Sequence, residues 1–205
     1  MPGLRSLGTD YGGYVVPVER IGSDWVCYCV GTGADVSFEL ELIESRGVEV
    51  RSFEAVENLA NYVREQARGE PRLSIEHAAL ALEDGPVRMQ RSHVPVSQSV
   101  SAAGLYDGSN YVEVPGRTLA SLMEENGDDR IDLLKIDIEG LEYELLPTLD
   151  LRQLGVRVLC TQFHHTASVS QAKALIARLR DDGYELVACH PTVKLTFVAR
   201  ELLGD

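Results

Sequence analysis

Ile131-Asp132-Leu133-Leu134-Lys135-Ile136-Asp137-Ile138-Glu139-Gly140-Leu141-Glu142 is the stretch whose reading decides the fold. Ile131, Leu133, Leu134, Ile136 and Ile138 form a nearly continuous apolar run, the pattern of a strand covered on both faces in a parallel sheet. Lys135 and Asp137 interrupt it and, at period two, point to the same face. Glu139-Gly140 breaks the run, and Leu141 to Leu146 resumes at helical spacing. A charge at the carboxyl end of a central strand, where the chain turns into a helix, sits where open α/β sheets bind ligands. On this reading Lys135 pairs with Asp137, and Asp137, nearer the turn, faces a ligand.

Working outward, the same alternation repeats. Trp25 to Val30 is apolar and β-prone and runs into Gly31-Thr32-Gly33-Ala34-Asp35. A helix is expected to about Ser45, with Asp35 and Ser37 available as caps. Val48 to Phe53 reads as a strand ending at Glu54, followed by a helix from Ala55 to Ala67 with Val56, Leu59, Ala60 and Val63 on one face. Leu73 to Leu80 reads as a third strand, Ser92 to Asn110 as a long loop, and Arg117 to Glu125 as a helix. Val156 to Phe163 is another buried strand, and a helix capped by Ser168 or Ser170 runs to Arg180. Tyr184 to Ala188 and Val193 to Ala199 suit an antiparallel pair at the sheet's edge. Residues 1–22 read as an N-terminal arm or edge strand, because Pro17 is tolerated at edges but not in central strands.

The totals narrow the class. A chain of 205 residues is one domain by size and buries roughly 70% of its unfolded surface without needing staples. The net charge of −13 argues against nucleic acid and against an anionic membrane surface as partners. Cys27, Cys29, Cys160 and Cys189 include no C-x-x-C pair, so reduced thiols and no zinc or other metal site are expected, as in a cytoplasmic protein. No secretory apolar segment and no run long enough to span a bilayer is expected to contribute.

The chemistry begins at Gly31-x-Gly33, where glycines let backbone approach a ligand and the next helix offers its N-terminus. Glu54 follows Gly33 by 21 positions at the tip of the next strand. That is where an acidic residue accepts hydrogen bonds from ribose hydroxyls in nucleotide-binding α/β folds. The turn lacks the third glycine of a dinucleotide fingerprint. Asp35 at the helix entrance repels phosphate but accepts from an ammonium. An adenosine carrying an amino acid, S-adenosylmethionine, fits this better than NAD.

The run Asp132 to Glu142 resembles the D-L-L-K-I-D-x-E-G-x-E signature of FkbM-type methyltransferases, class I enzymes that use S-adenosylmethionine. The similarity continues through Val30 to Phe38, Ser52-Phe53-Glu54-Ala55, His77-Ala78-Ala79-Leu80 before Asp84-Gly85, Gln98-Ser99, and Val114-Pro115 to Leu119. It implies a doubly wound, Rossmann-like α/β sheet of about seven strands, mostly parallel with a reversed C-terminal strand, over residues 23–205. By position it implies that Gly31, Thr32 and Gly33 hold the methionine moiety, Glu54 the ribose, and that Ala79 borders the adenine. Asp137 then lies near the methionine amino group or the acceptor. The chain departs from the family pattern at Cys29, where an Asp often stands, and at Asp35-Val36-Ser37-Phe38, which replaces a more glycine-rich turn.

Methyl transfer is an in-line displacement, so the enzyme mainly positions donor and acceptor. A hydroxyl acceptor also needs a base, and His164 and His165 end the strand beside the central one. His165, further beyond the apolar run, is the favoured base, then His164, with Asp137 next. Tyr11, Tyr14 and the long loop are candidates to close over the acceptor. The leading expectation is O-methylation of a small molecule or sugar. The alternative is a non-catalytic or regulatory nucleotide-binding domain, and an NAD-dependent dehydrogenase ranks third. The sequence leaves the oligomeric state open.

Overall fold

The computed structural model describes residues 3–92, 100–104 and 110–204. Its elements are β1 (Leu4–Leu7), β2 (Tyr14–Pro17), β3 (Val26–Val30), α1 (Ser37–Arg46), β4 (Glu49–Glu54), α2 (Glu57–Gln66), β5 (Leu73–His77) and β6 (Ala79–Leu80). There follow β7 (Gly85–Arg91), β8 (Val100–Ser101), β9 (Tyr111–Arg117), α3 (Leu119–Asn126), β10 (Leu133–Ile136) and α4 (Glu142–Leu145). The chain closes with β11 (Val158–Gln162), α5 (Val169–Asp181), β12 (Tyr184–Cys189), β13 (Lys194–Ala199) and α6 (Arg200–Leu203).

The main sheet has seven strands in the order β12-β13-β11-β10-β3-β4-β5. β10 is central, parallel to β3 on one side and β11 on the other, and all four of its residues are buried. Alternation along these strands sends side chains to two cores. Tyr28, Val30, Leu134, Ile136 and Leu159 face α3 and α5 through Leu119, Leu122, Leu175 and Leu179. Cys27, Cys29, Leu133 and Cys160 face α1 and the N-terminal hairpin through Phe38, Leu42, Leu7 and Val16. Three of the four cysteines are thus buried free thiols, and Cys189 is exposed.

Several expected boundaries move for physical reasons. The C-terminal pair is antiparallel, but only β12 lies at the edge. β13 inserts between β11 and β12, with all six residues buried. The Leu73–Leu80 strand divides: the Ala78 amide still bonds Glu54 O, and Ala79–Leu80 then joins a separate four-stranded sheet of order β6-β9-β7-β8. Pro115 and Gly116 lie within β9, and both residue types are uncommon inside strands. Pro86 and Pro115 face each other across β7 and β9, which places both missing donors at one ladder position. The long polar segment holds β8, whereas 93–99 and 105–109, including the Gln98-Ser99 similarity, lie outside the described residues.

The α5 N-terminus is a capping box: Ser168 accepts from the Gln171 amide, and the Gln171 side chain accepts from the Ser168 amide. Within the N-terminal region, Leu4 to Pro17 form the β1–β2 hairpin, which packs Leu7, Tyr14 and Val16 into the core, and Val18 follows them there.

Lys135 does not pair with Asp137. Its ammonium lies 3.1 Å from Glu39 Oε1 on α1, with both side chains almost fully buried. Burial opposes the charge, but Glu39 outweighs it and the Lys135 pKa is raised. This ion pair ties α1 to the centre of the sheet. Lys135→Met should cost about 3–5 kcal/mol by leaving a buried carboxylate unpaired, and a Lys135→Met/Glu39→Leu double variant should recover most of it. Urea denaturation of the three proteins measures both values.

Candidate active site

A cavity of about 320 Å³ opens at the carboxyl ends of β3, β4, β10 and β11. Two kinds of wall meet there. Leu59, Ala79, Met89 and Val100 belong to one apolar cluster and supply a greasy surface from α2 and the second sheet. Glu54, Lys135, Asp137, Glu139 and His164 supply the polar surface.

The glycine turn has two different needs. At Gly31, with φ +77°, a Cβ would lie 1.7 Å from the Asp137 carbonyl oxygen, so this glycine permits the tips of β3 and β10 to touch. At Gly33, with φ +63°, a Cβ would meet nothing within 4 Å among the described residues. Between them, Thr32 is buried with its hydroxyl 2.7 Å from that of Ser52. Glu54 bridges two turns: Oε2 accepts from the Gly33 amide at 2.7 Å and Oε1 from the Val56 amide at 2.8 Å. Burial raises the Glu54 pKa despite these two hydrogen bonds.

Asp137, at the tip of β10, lies opposite His164, at the tip of β11, with Oδ1 3.7 Å from Nε2. Glu139 Oε2 is 3.5 Å from the same nitrogen, and Glu142 Oε1 is 2.8 Å from Nδ1. Burial pushes the Asp137 pKa up, and the nearby Glu142 and Glu139 charges add to this against Lys135 and His164. Burial would lower the His164 pKa, but the hydrogen bond with Glu142 and the surrounding carboxylates raise it. Glu139 has φ 54°, an unfavourable backbone for a non-glycine residue, and its carbonyl accepts from Ser101 Oγ at 2.6 Å. Such strain is found where a turn is held for function.

The structure therefore brings Gly31, Thr32, Gly33, Glu54, Ala79, Asp137 and His164 to one cavity. Three expected residues are elsewhere, and one of them, Tyr14, is buried in the core beside Phe38. His165, the favoured base, is exposed and off the cavity wall, because adjacent residues at a strand end diverge. His164 takes the inward position. Asp35 is also turned away from the cavity lining. It accepts from the Ser37 amide at 2.9 Å, at the start of α1, and from the Thr9 hydroxyl in the N-terminal hairpin. Burial opposes ionisation of Asp35, but those hydrogen bonds prevail and lower its pKa.

Tyr11 and Gly12, in the turn between β1 and β2, border the cavity. Lys194 on β13 holds that turn by donating to the carbonyls of Tyr11 and Gly13. Sequence spacing carried no sign of Lys194 at the site. Glu139 and Glu142 carried one as the acidic positions of the D-x-E-G-x-E run, and Val100 belongs to the long loop expected near the acceptor.

The seven-stranded sheet, parallel but for one reversed strand, is the Rossmann-like fold that solved methyltransferases share. The family model described as the methyltransferase FkbM domain matches residues 30–186, and the chain belongs to that family. Solved structures share the fold. Precorrin-6y C5,15-methyltransferase from Geobacter metallireducens GS-15 is 14% identical, with TM-score 0.50 over 88% of this chain and 82% of that one. The Methanococcus jannaschii fibrillarin pre-rRNA processing protein is 10% identical, with TM-score 0.51 over 91% of this chain and 70% of that one. The METTL16 methyltransferase domain is 12% identical, with TM-score 0.51 over 89% of this chain and 63% of that one. No curated protein shows a significant sequence match. No helix among the described residues is long and apolar enough to cross a membrane.

Asp35→Asn should change S-adenosylmethionine affinity by less than about threefold in calorimetry. It should instead lower thermal stability. With a lowered folded pKa, the wild-type advantage should be full above the ordinary carboxylate range and fade as pH falls through the folded value.

Proposed function

We propose that the protein methylates a hydroxyl oxygen of a small molecule or sugar. The observation that carries this reading is the arrangement of one cavity, with the glycine turn and Glu54 on one part of its wall and Asp137 and His164 on another. The family implies the donor, and the residues fit it. Gly33 lines the cavity without a side chain, Glu54 offers a buried carboxylate for ribose hydroxyls, and Ala79, Leu59 and Met89 offer an apolar face for a purine. When bound, S-adenosylmethionine supplies an electrophilic methyl group.

This chain's own residues bind and orient. A neutral hydroxyl is a weak nucleophile and must lose its proton as it attacks, and Asp137 and His164 lie together to receive it. Glu142, bonded to Nδ1, sets the ring so that Nε2 points towards Asp137 and the cavity. The apolar wall limits water, and the Tyr11–Gly12 turn narrows the mouth.

A cavity of this size suits a small acceptor. The net charge of −13 favours the same choice over a polynucleotide, although one structural neighbour is a pre-rRNA processing protein.

His164→Ala should lower kcat about 10²- to 10⁴-fold, the usual span for loss of a proton-transfer group, with little change in donor affinity. His165→Ala should leave both nearly unchanged. Turnover that survives His164→Ala but falls in His165→Ala would reverse the assignment. Glu54→Ala should weaken donor binding about tenfold or more in calorimetry, as expected when a charged hydrogen-bonding partner is removed.

A further inference from the structure

Behind the cavity wall lies a carboxylate whose hydrogen bonds do not account for both its oxygens. Glu142 is fully buried and is not part of the cavity lining. Its Oε1 accepts from the Ile138 amide at 3.1 Å and lies 2.8 Å from His164 Nδ1, but its Oε2 has no hydrogen-bond partner among the described residues. A buried polar oxygen left unmatched costs free energy, so an unexplained one points to something that completes it.

The surroundings indicate what that is. Ligand-capable atoms of Asp137, Glu142 and His164 all lie within 4.8 Å of one another. Glu139 adds a third carboxylate 3.5 Å from His164 Nε2. Three acidic groups thus surround one imidazole. The nearest buried ammonium on the same strand, Lys135, is paired with Glu39, and Lys194 donates to backbone carbonyls of the N-terminal hairpin. The ammonium of a bound nucleoside in the cavity could approach Asp137, but Glu142 is sealed from that space. The ligand-capable atoms of Asp137, Glu142 and His164 are instead within 4.8 Å of one another, a spacing that one cation can bridge.

We propose that Asp137, Glu142 and His164 form a binding site for a divalent metal ion. Two carboxylates and one imidazole, with no thiolate in the set, suit a hard or borderline cation such as Mn²⁺ or Mg²⁺. The site spans the tips of two neighbouring strands, β10 and β11, with Glu142 reaching in from α4. Asp137 and His164 line the cavity, so a cation held there can touch an acceptor oxygen. With the ion bound, Asp137 and His164 would act as its ligands in place of receiving the proton, and the ion would polarise the hydroxyl so that its proton passes to solvent. That role rests on the methyl-transfer reading above; the binding itself does not.

The test uses the full chain, stripped with a chelator and titrated with Mn²⁺, with free ion followed by electron paramagnetic resonance. S-adenosylhomocysteine is titrated calorimetrically on the same samples. One Mn²⁺ should bind per chain, and Asp137→Asn, His164→Ala and Glu142→Gln should each weaken it about tenfold or more, while His165→Ala should not. Circular dichroism identifies the folded variants. Asp137→Asn, on the cavity wall, keeps the test decisive if the buried Glu142→Gln does not fold. Absence of saturable Mn²⁺ binding overturns the proposal, as does equal affinity in folded Asp137→Asn and His164→Ala. Binding of S-adenosylhomocysteine without Mn²⁺ removes the metal site and leaves the methyltransferase reading intact; binding of neither removes both.

Discussion

The tips of β3 and β10 touch at Gly31 and Asp137, and the site depends on that contact. The Asp137 amide donates to Val30 O at 3.0 Å, while the Gly31 amide donates to Phe53 O at 2.9 Å. Three parallel strands are thereby locked at a common level, and a Cβ at Gly31 would collide with the Asp137 carbonyl. From that level the chain turns through Gly33 on one side and through Glu139-Gly140 on the other. The space between the two turns is the cavity. Backbone hydrogen bonding between neighbours, more than any side-chain contact, aligns Glu54 and Asp137 on the same rim.

The charges of the central run divide the work along the strand. Asp132, fully buried at the start, accepts from the Val26 amide and from Arg130, far from the cavity. Lys135, mid-strand, anchors α1 through Glu39. Asp137 reaches the cavity, and Glu142 fastens the following turn through the Ile138 amide while orienting His164. A motif dense in charge is thus a strand whose two ends and middle face different tasks. Each buried charge is tolerated because a partner stands against it.

Elements outside the parallel sheet complete the site. The second sheet brings Met89 and Val100 to the apolar wall, and the N-terminal hairpin brings Tyr11 to the mouth. Asp35 and Lys194 hold that hairpin from opposite sides, one from the start of α1 and one from β13. Asp35 stands off the cavity lining and ties the hairpin to the start of α1.

By itself, the amino-acid sequence determined the alternation of strands and helices, the centrality of Ile131 to Ile138, the glycine turn and the acidic strand tip. These are written in local periodicity and in residues that only certain backbone shapes accept. It also carried the family through the Asp132 to Glu142 run. Only the tertiary structure decided that His164 and not His165 faces inward, since the twist at a strand end is set by neighbours and not by composition. It likewise decided that Lys135 pairs with Glu39, 96 residues away, and that Pro115-Gly116 sits in a strand. Long-range pairing leaves no periodic trace in the chain, so these partners become visible only when the sheet brings them together.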